Sequence, residues 1–101
     1  MRIDLNALGG PSPARSYRIG DVARFVGVST HALRAWERRY GTVEPHRTPG
    51  GSRLYDAQQI ERLKTLKQLT DFGHSIGEVA RLSLEDLKRL LAATHELSLS
   101  R

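Results

Sequence analysis

The sequence predicts a mainly α-helical fold, a winged helix-turn-helix with a small β-hairpin wing and additional C-terminal helices. Three observations predict it. Two short amphipathic segments are separated only by Gly27-Val28-Ser29. A turn-rich, arginine-bearing stretch, Thr42 to Tyr55, follows them. Three further segments with apolar spacing, each opened by a polar capping residue, fill the chain after Asp56.

The first helix is read from Ile19, Val22, Ala23 and Val26, which recur at the spacing of one helical face, with Asp21 in the first turn and Gly27 just past the end. Ser29 offers an N-cap for a second helix, about Thr30 to Tyr40, which Gly41 ends. At about 100° per residue, Leu33, Trp36, Glu37 and Tyr40 share one side of that helix. Arg34, Arg38, His31 and Ala35 share the other, and Arg39 lies between. The stretch "LRAWERRYG" therefore packs on one side and presents guanidinium groups on the other. Trp36 and Tyr40 read as core before stacking platforms, and Glu37 as an orienting partner for an arginine before a base reader.

Pro49-Gly50-Gly51 is a turn signal. Extended arms around Val43–His46 and Arg53–Tyr55 would make a hairpin with Arg47 near its tip and Arg53 on its return arm, a surface loop being the alternative. Asp56 caps a third helix reaching Phe72 and stopped by Gly73. Its apolar residues Ile60, Leu63, Leu66, Leu69 and Phe72 recur every third position, so the band drifts around the helix and touches more than one neighbour. Ser75-Ile76-Gly77-Glu78 reads as a capping box for a fourth helix, and Ser83 opens a short fifth one. Residues 92–101 carry little pattern and read as a frayed tail or linker. Residues 1–16, with Gly9-Gly10-Pro11-Ser12-Pro13, read as a flexible lead. The expected core includes Val22, Val26, Leu33, Trp36, Tyr40, Ile60 and Leu63.

Charge adds a functional direction. The chain carries a net charge of +5, and residues 17–55 hold seven arginines against Asp21, Glu37 and Glu44, whereas residues 56–101 are balanced. Arginine is favoured where a planar fork meets phosphate or guanine, so a basic, all-arginine half points to nucleic acid more than to membrane. There is no cysteine, which excludes disulfides and cysteine–zinc sites. The four histidines, His31, His46, His74 and His95, have no metal-ligand spacing. No nucleophile–base pairing or glycine-rich phosphate loop supports catalysis, so an enzyme is not expected. No apolar run approaches the roughly 20 residues of a bilayer span, and no signal-peptide stretch is present at the N-terminus, so a cytoplasmic protein is expected.

These residues carry a resemblance. "YRIGDVARFVGVSTHALRAWERRYG", then "PHR", "GSRLY" and a leucine-spaced helix ending in "SIGEV", resemble the DNA-binding domain of MerR-family transcription regulators over residues 17–82. The spelling is most similar to the CarA/CarH/LitR-like subgroup. The resemblance implies a sequence-specific domain of a bacterial regulator, repressor or activator, with the second helix in the major groove and the wing on the backbone. The DNA-facing positions it implies are Thr30, His31, Arg34, Ala35, Arg38, Arg39, Arg47 and Arg53, with Tyr55 supporting the wing or touching backbone. The implied partners are double-stranded promoter DNA carrying an inverted repeat, a second copy of the chain when on DNA, and RNA polymerase. No cofactor or metal is expected in this chain. By resemblance alone, a cobalamin-binding domain follows it in a longer protein.

Ala35-Trp36 stands where two adjacent aromatics are common in the family, and Gly51-Ser52 where Gly-Tyr is common; both changes reduce backbone contacts. The segment after Leu82 reads as too short for the family's long dimer helix, so a monomer or weak dimer is expected off DNA. An ion pair with Glu37 or Glu44 is the alternative role for Arg34. An excisionase-like architectural DNA binder and a protein-interaction module are the alternative functions. With four to six phosphates neutralised, log K should fall against log salt with a slope of roughly −4 to −5.

Overall fold

The structure, a computed structural model, describes residues 15–99. Helix α1 (Ile19–Val26) ends at Gly27, whose φ of 83° is left-handed and whose amide donates to Ala23 O at 2.8 Å. A side chain is disfavoured at that φ, so glycine makes the sharp exit available. Two residues later Ser29 accepts a hydrogen bond from the Ala32 amide at 3.0 Å and starts α2 (Thr30–Tyr40), which closes on the left-handed Gly41. The helix-turn-helix and its bounds match the sequence expectation.

The sheet has three strands. β2 (His46–Arg47) and β3 (Arg53–Asp56) form the antiparallel wing, paired His46 to Leu54 and Arg47 to Arg53. Gly51 N donates to Thr48 O at 2.8 Å and Thr48 N to Ser52 O at 2.9 Å, which closes the Pro49-Gly50 turn. Strand β1 (Ser16–Tyr17) lies on the other side of β3, pairing Ser16 to Asp56 and Tyr17 to Tyr55, so β3 is central. Sequence reading places residue 16 in a flexible lead; a two-residue strand has no periodicity to read, and its partner is distant in the chain. Residues 1–14 of that expected lead lie outside the described residues. Of the expected first arm, Val43–His46, only His46 lies in β2; residues 43–45 form an irregular connector, and Thr42 and Val43 are buried.

Helix α3 (Ala57–Asp71) begins in a full capping box: Asp56 accepts from Gln59 N at 2.8 Å, and Gln59 Oε1 accepts from Asp56 N at 3.0 Å. Ile60, Leu63, Leu66 and Leu69 are all at most 1% exposed, and the helix contacts α1, β3 and the two helices that follow it. The drifting apolar band is thus spent on several neighbours, as its three-residue repeat predicts. One turn of helix, α4 (Ile76–Val79), follows Ser75, but the Ser75 side chain makes no capping bond; the expected box there is not formed. A helix of four residues is held by Val79 and Ile76 packing against the core instead.

The last helix departs most from expectation. α5 spans Leu84–Leu99, sixteen residues rather than a short helix and a frayed tail. Ser83 Oγ accepts from Asp86 N, as its position predicts. Beyond the fully buried Leu87, the helix is held by Leu90 and Leu91 on the core, by His74 Nε2 against Thr94 Oγ1 at 3.0 Å, and by His95 edge-on to Phe72. Tertiary contacts thus sustain a segment whose own pattern is weak. The premise of a short segment after Leu82 therefore does not hold.

Candidate nucleic-acid interface

Leu33 is 1% exposed, and Trp36 packs beside it against the core. Tyr40, expected in the core, is instead 40% exposed. It lies at the C-terminal end of α2 with α4 close to its ring: a Cβ at Gly77 would come within 3.3 Å of Tyr40 Cε1. The opposite side of α2 is open. His31, Arg34, Arg38 and Arg39 are exposed, and Thr30 and Ala35 half-buried. None of the three arginine side chains has a hydrogen bond or ion pair among the described residues. The alternative pairing of Arg34 with Glu37 or Glu44 does not form.

Glu37 is engaged elsewhere. Its side chain is 11% exposed, its Oε2 accepts the hydroxyl of Tyr55, and its Oε1 lies 3.2 Å from Arg53 Nε. That nitrogen is buried and not aligned as a hydrogen-bond donor, so the Arg53 contact is an ion pair without a formed hydrogen bond. One carboxylate on α2 thereby fastens the return strand of the wing at two positions, Arg53 and Tyr55, two residues apart. Tyr55 is 0% exposed, which fits the supporting one of the two roles expected for it. Burial first, and then the Glu37 carboxylate through its hydrogen bond and charge, push the Tyr55 hydroxyl above the usual phenol range, so it stays protonated and donating.

Arg53 remains about a third exposed, and its guanidinium borders a notch of about 230 Å³ with Arg18, Ile19, Arg34, Gly51 and Ser52. Arginines from the N-cap of α1, from α2 and from β3 therefore line one concavity. The first turn of α1 opens beside it: Arg18 caps α1 through its backbone only, leaving the first amides without a side-chain acceptor. Arg47, on β2, is exposed, and its side chain donates to Gly51 O at 3.3 Å. Arg24 is taken by Asp21 within α1. Among the described residues no group of three metal-ligating side chains occurs, and no helix is long and apolar enough to cross a membrane.

Two residues that sequence reading passes over hold the wing in place. Arg62 donates from Nε to Thr42 O at 2.6 Å, and through its two terminal nitrogens to Leu82 O at 2.6 Å and Ala80 O at 2.7 Å. Gln59 Nε2 donates to Glu44 O at 2.5 Å. The signal for Arg62 was its place on α3: at about 100° per residue it falls roughly 20° from Leu69, inside the apolar band. An arginine there must find acceptors.

The pattern of the MerR HTH family regulatory protein matches residues 17–94. The chain belongs to that family. It is a DNA-binding domain of a transcription regulator, in a family without enzymatic activity. The chain is 50% identical over 68 residues to the HTH-type transcriptional repressor CarH of Myxococcus xanthus, a match covering 67% of this chain and 23% of that protein. It is 41% identical over 66 residues to the HTH-type transcriptional regulator MlrA of Escherichia coli strain K12, covering 65% of this chain and 27% of the relative. The match thus spans about a quarter of the length of these relatives. The fold is that of a MerR family transcriptional regulator from Bacillus cereus, with a TM-score of 0.61 at 24% identity over 85% of this chain and 69% of the other. It also aligns with HiNmlR, a MerR family regulator lacking the sensor domain, bound to promoter DNA. There the TM-score is 0.54 at 25% identity, over 79% of this chain and 55% of that one.

Proposed function

We propose that this MerR-family chain is the sequence-reading part of a longer bacterial regulator that acts in the cytoplasm on promoter DNA. Helix α2 enters the major groove, with Arg34 and Arg38 reaching base edges and Thr30, His31 and Ala35 lying along the groove. Arg39, Arg47 and Arg53 hold backbone phosphates, and two copies bind the halves of an inverted repeat. The observation that carries this reading is the unpaired basic side of α2, continued by the notch of Arg18, Arg34 and Arg53. A side chain that reads DNA must not be spent on an internal partner, and Arg34 and Arg38 are not.

The test is selection from random duplexes, followed by anisotropy titration at several salt concentrations. The enriched motif should be an inverted repeat. Arg34→Ala should erase one position of each half, a loss of roughly 1–3 kcal/mol of discrimination. Arg47→Ala should weaken all sequences alike and flatten the salt slope by about 1. Absence of binding at low salt would refute the reading and return the arginines to a protein partner.

A further inference from the structure

The connector Thr42–Pro45 carries the chain from α2 into the wing. Among the described residues its backbone makes no hydrogen bond to other backbone groups. Its carbonyls are held from α3 instead, Thr42 O by Arg62 and Glu44 O by Gln59, one helical turn apart. The same Arg62 guanidinium holds Ala80 O and Leu82 O, which lie where α4 gives way to α5. No carboxylate pairs with Arg62 among the described residues, so its charge is met by three backbone carbonyls. Two of them lie where α4 ends and helical carbonyls lack partners. A lysine cannot reproduce this, because a single ammonium has no planar fork to span three acceptors on two separate segments.

We propose that Arg62 is a positioning residue for DNA binding: it ties the connector to the α4–α5 turn and so sets the wing relative to α2, without itself touching DNA. The proposal rests on the reading that the wing meets the DNA backbone. It predicts that the wing's contacts and those of α2 can be separated by a substitution in neither. The two variants for this are Arg62→Lys and Gln59→Glu. The second keeps the capping acceptor for Asp56 N and replaces the donor to Glu44 O by a carboxylate oxygen.

The experiment uses the whole chain and a duplex enriched by selection. Hydroxyl-radical footprints report backbone contacts, guanine methylation reports the major groove, and a salt titration reports phosphates. For both variants, protection at the wing positions should fade while guanine protection under α2 persists. Arg62→Lys should bind roughly tenfold more weakly, with a salt slope flatter by about 1 for each phosphate lost. If both footprints weaken in proportion, or neither changes while the melting temperature falls, Arg62 serves stability alone and the proposal fails. Should Arg62→Lys not fold by circular dichroism, Gln59→Glu decides by the same criterion. If the unaltered chain protects no duplex, the DNA-contact reading itself has failed and takes the proposal with it. A normal footprint in the unaltered chain, unchanged in the variants, overturns the proposal alone.

Discussion

Tyr55→Phe removes one oxygen from the molecule and leaves an aromatic ring that is 0% exposed. No packing is lost, so the effect isolates the hydroxyl's bond to Glu37 Oε2. A hydrogen bond to a charged partner contributes about 1.5–3 kcal/mol, and deleting one side leaves the buried acceptor unsatisfied. Glu37 retains the Arg53 guanidinium 3.2 Å away, which offsets part of that penalty. The lower part of the range applies, about 1.5–2 kcal/mol. In a domain of this size each kcal/mol moves the melting temperature by about 4–8 °C, so a fall of roughly 6–16 °C is expected. Thermal unfolding followed by far-ultraviolet circular dichroism measures it. A double-mutant cycle with Glu37→Gln should return a coupling energy of about 1 kcal/mol or more. Base preference should be unchanged, since Tyr55 is walled off from DNA. An unaltered melting temperature with weakened DNA binding would refute this and restore Tyr55 to the interface.

The same hydroxyl gives a pH dependence. An unfolded tyrosine loses its proton near pH 10, while the folded Tyr55 keeps its own above that. Above about pH 10 the unfolded state therefore binds fewer protons than the folded one, and stability falls as pH rises, by up to about 1.4 kcal/mol per pH unit from this group. Denaturant unfolding across that range should show the fall, and Tyr55→Phe should lack this component. Leu87→Ala in α5, at a fully buried position, should cost about 3 kcal/mol, measured by urea unfolding.

Local chemistry made much of this fold readable. Gly27, Ser29 and Gly41 mark the bounds of the two reading helices because left-handed exits and hydroxyl caps are properties of single residues. Asp56 marks the start of α3 for the same reason. What escaped the sequence depends on partners distant in the chain. Strand β1 exists only because β3 lies beside it, and the end of α5 is held by Phe72 and His74. Within the interface, the open side of α2 followed from helical geometry. For Tyr55 the sequence leaves support and backbone contact both open; its burial on the central strand β3 fits support. Glu37 was legible as an orienting carboxylate, but which arginine it holds was not, since Arg53 comes to it across the fold. Tyr40 misled because it shares an angle with Leu33 but sits at the open end of the helix.

The placement of β3 between β1 and β2 also bears on behaviour at high concentration. A wing is a sheet that projects toward solvent, and an unpaired strand edge there would invite a second molecule to add on. Here the longest strand of the sheet, Arg53–Asp56, pairs its first two residues with β2 and its last two with β1, and each outer strand is only two residues long. One outer edge carries His46 and Arg47, both exposed. So short and charged a margin is a poor template for another chain. The arginines gathered for a nucleic-acid partner thus also keep the wing from recruiting its own kind.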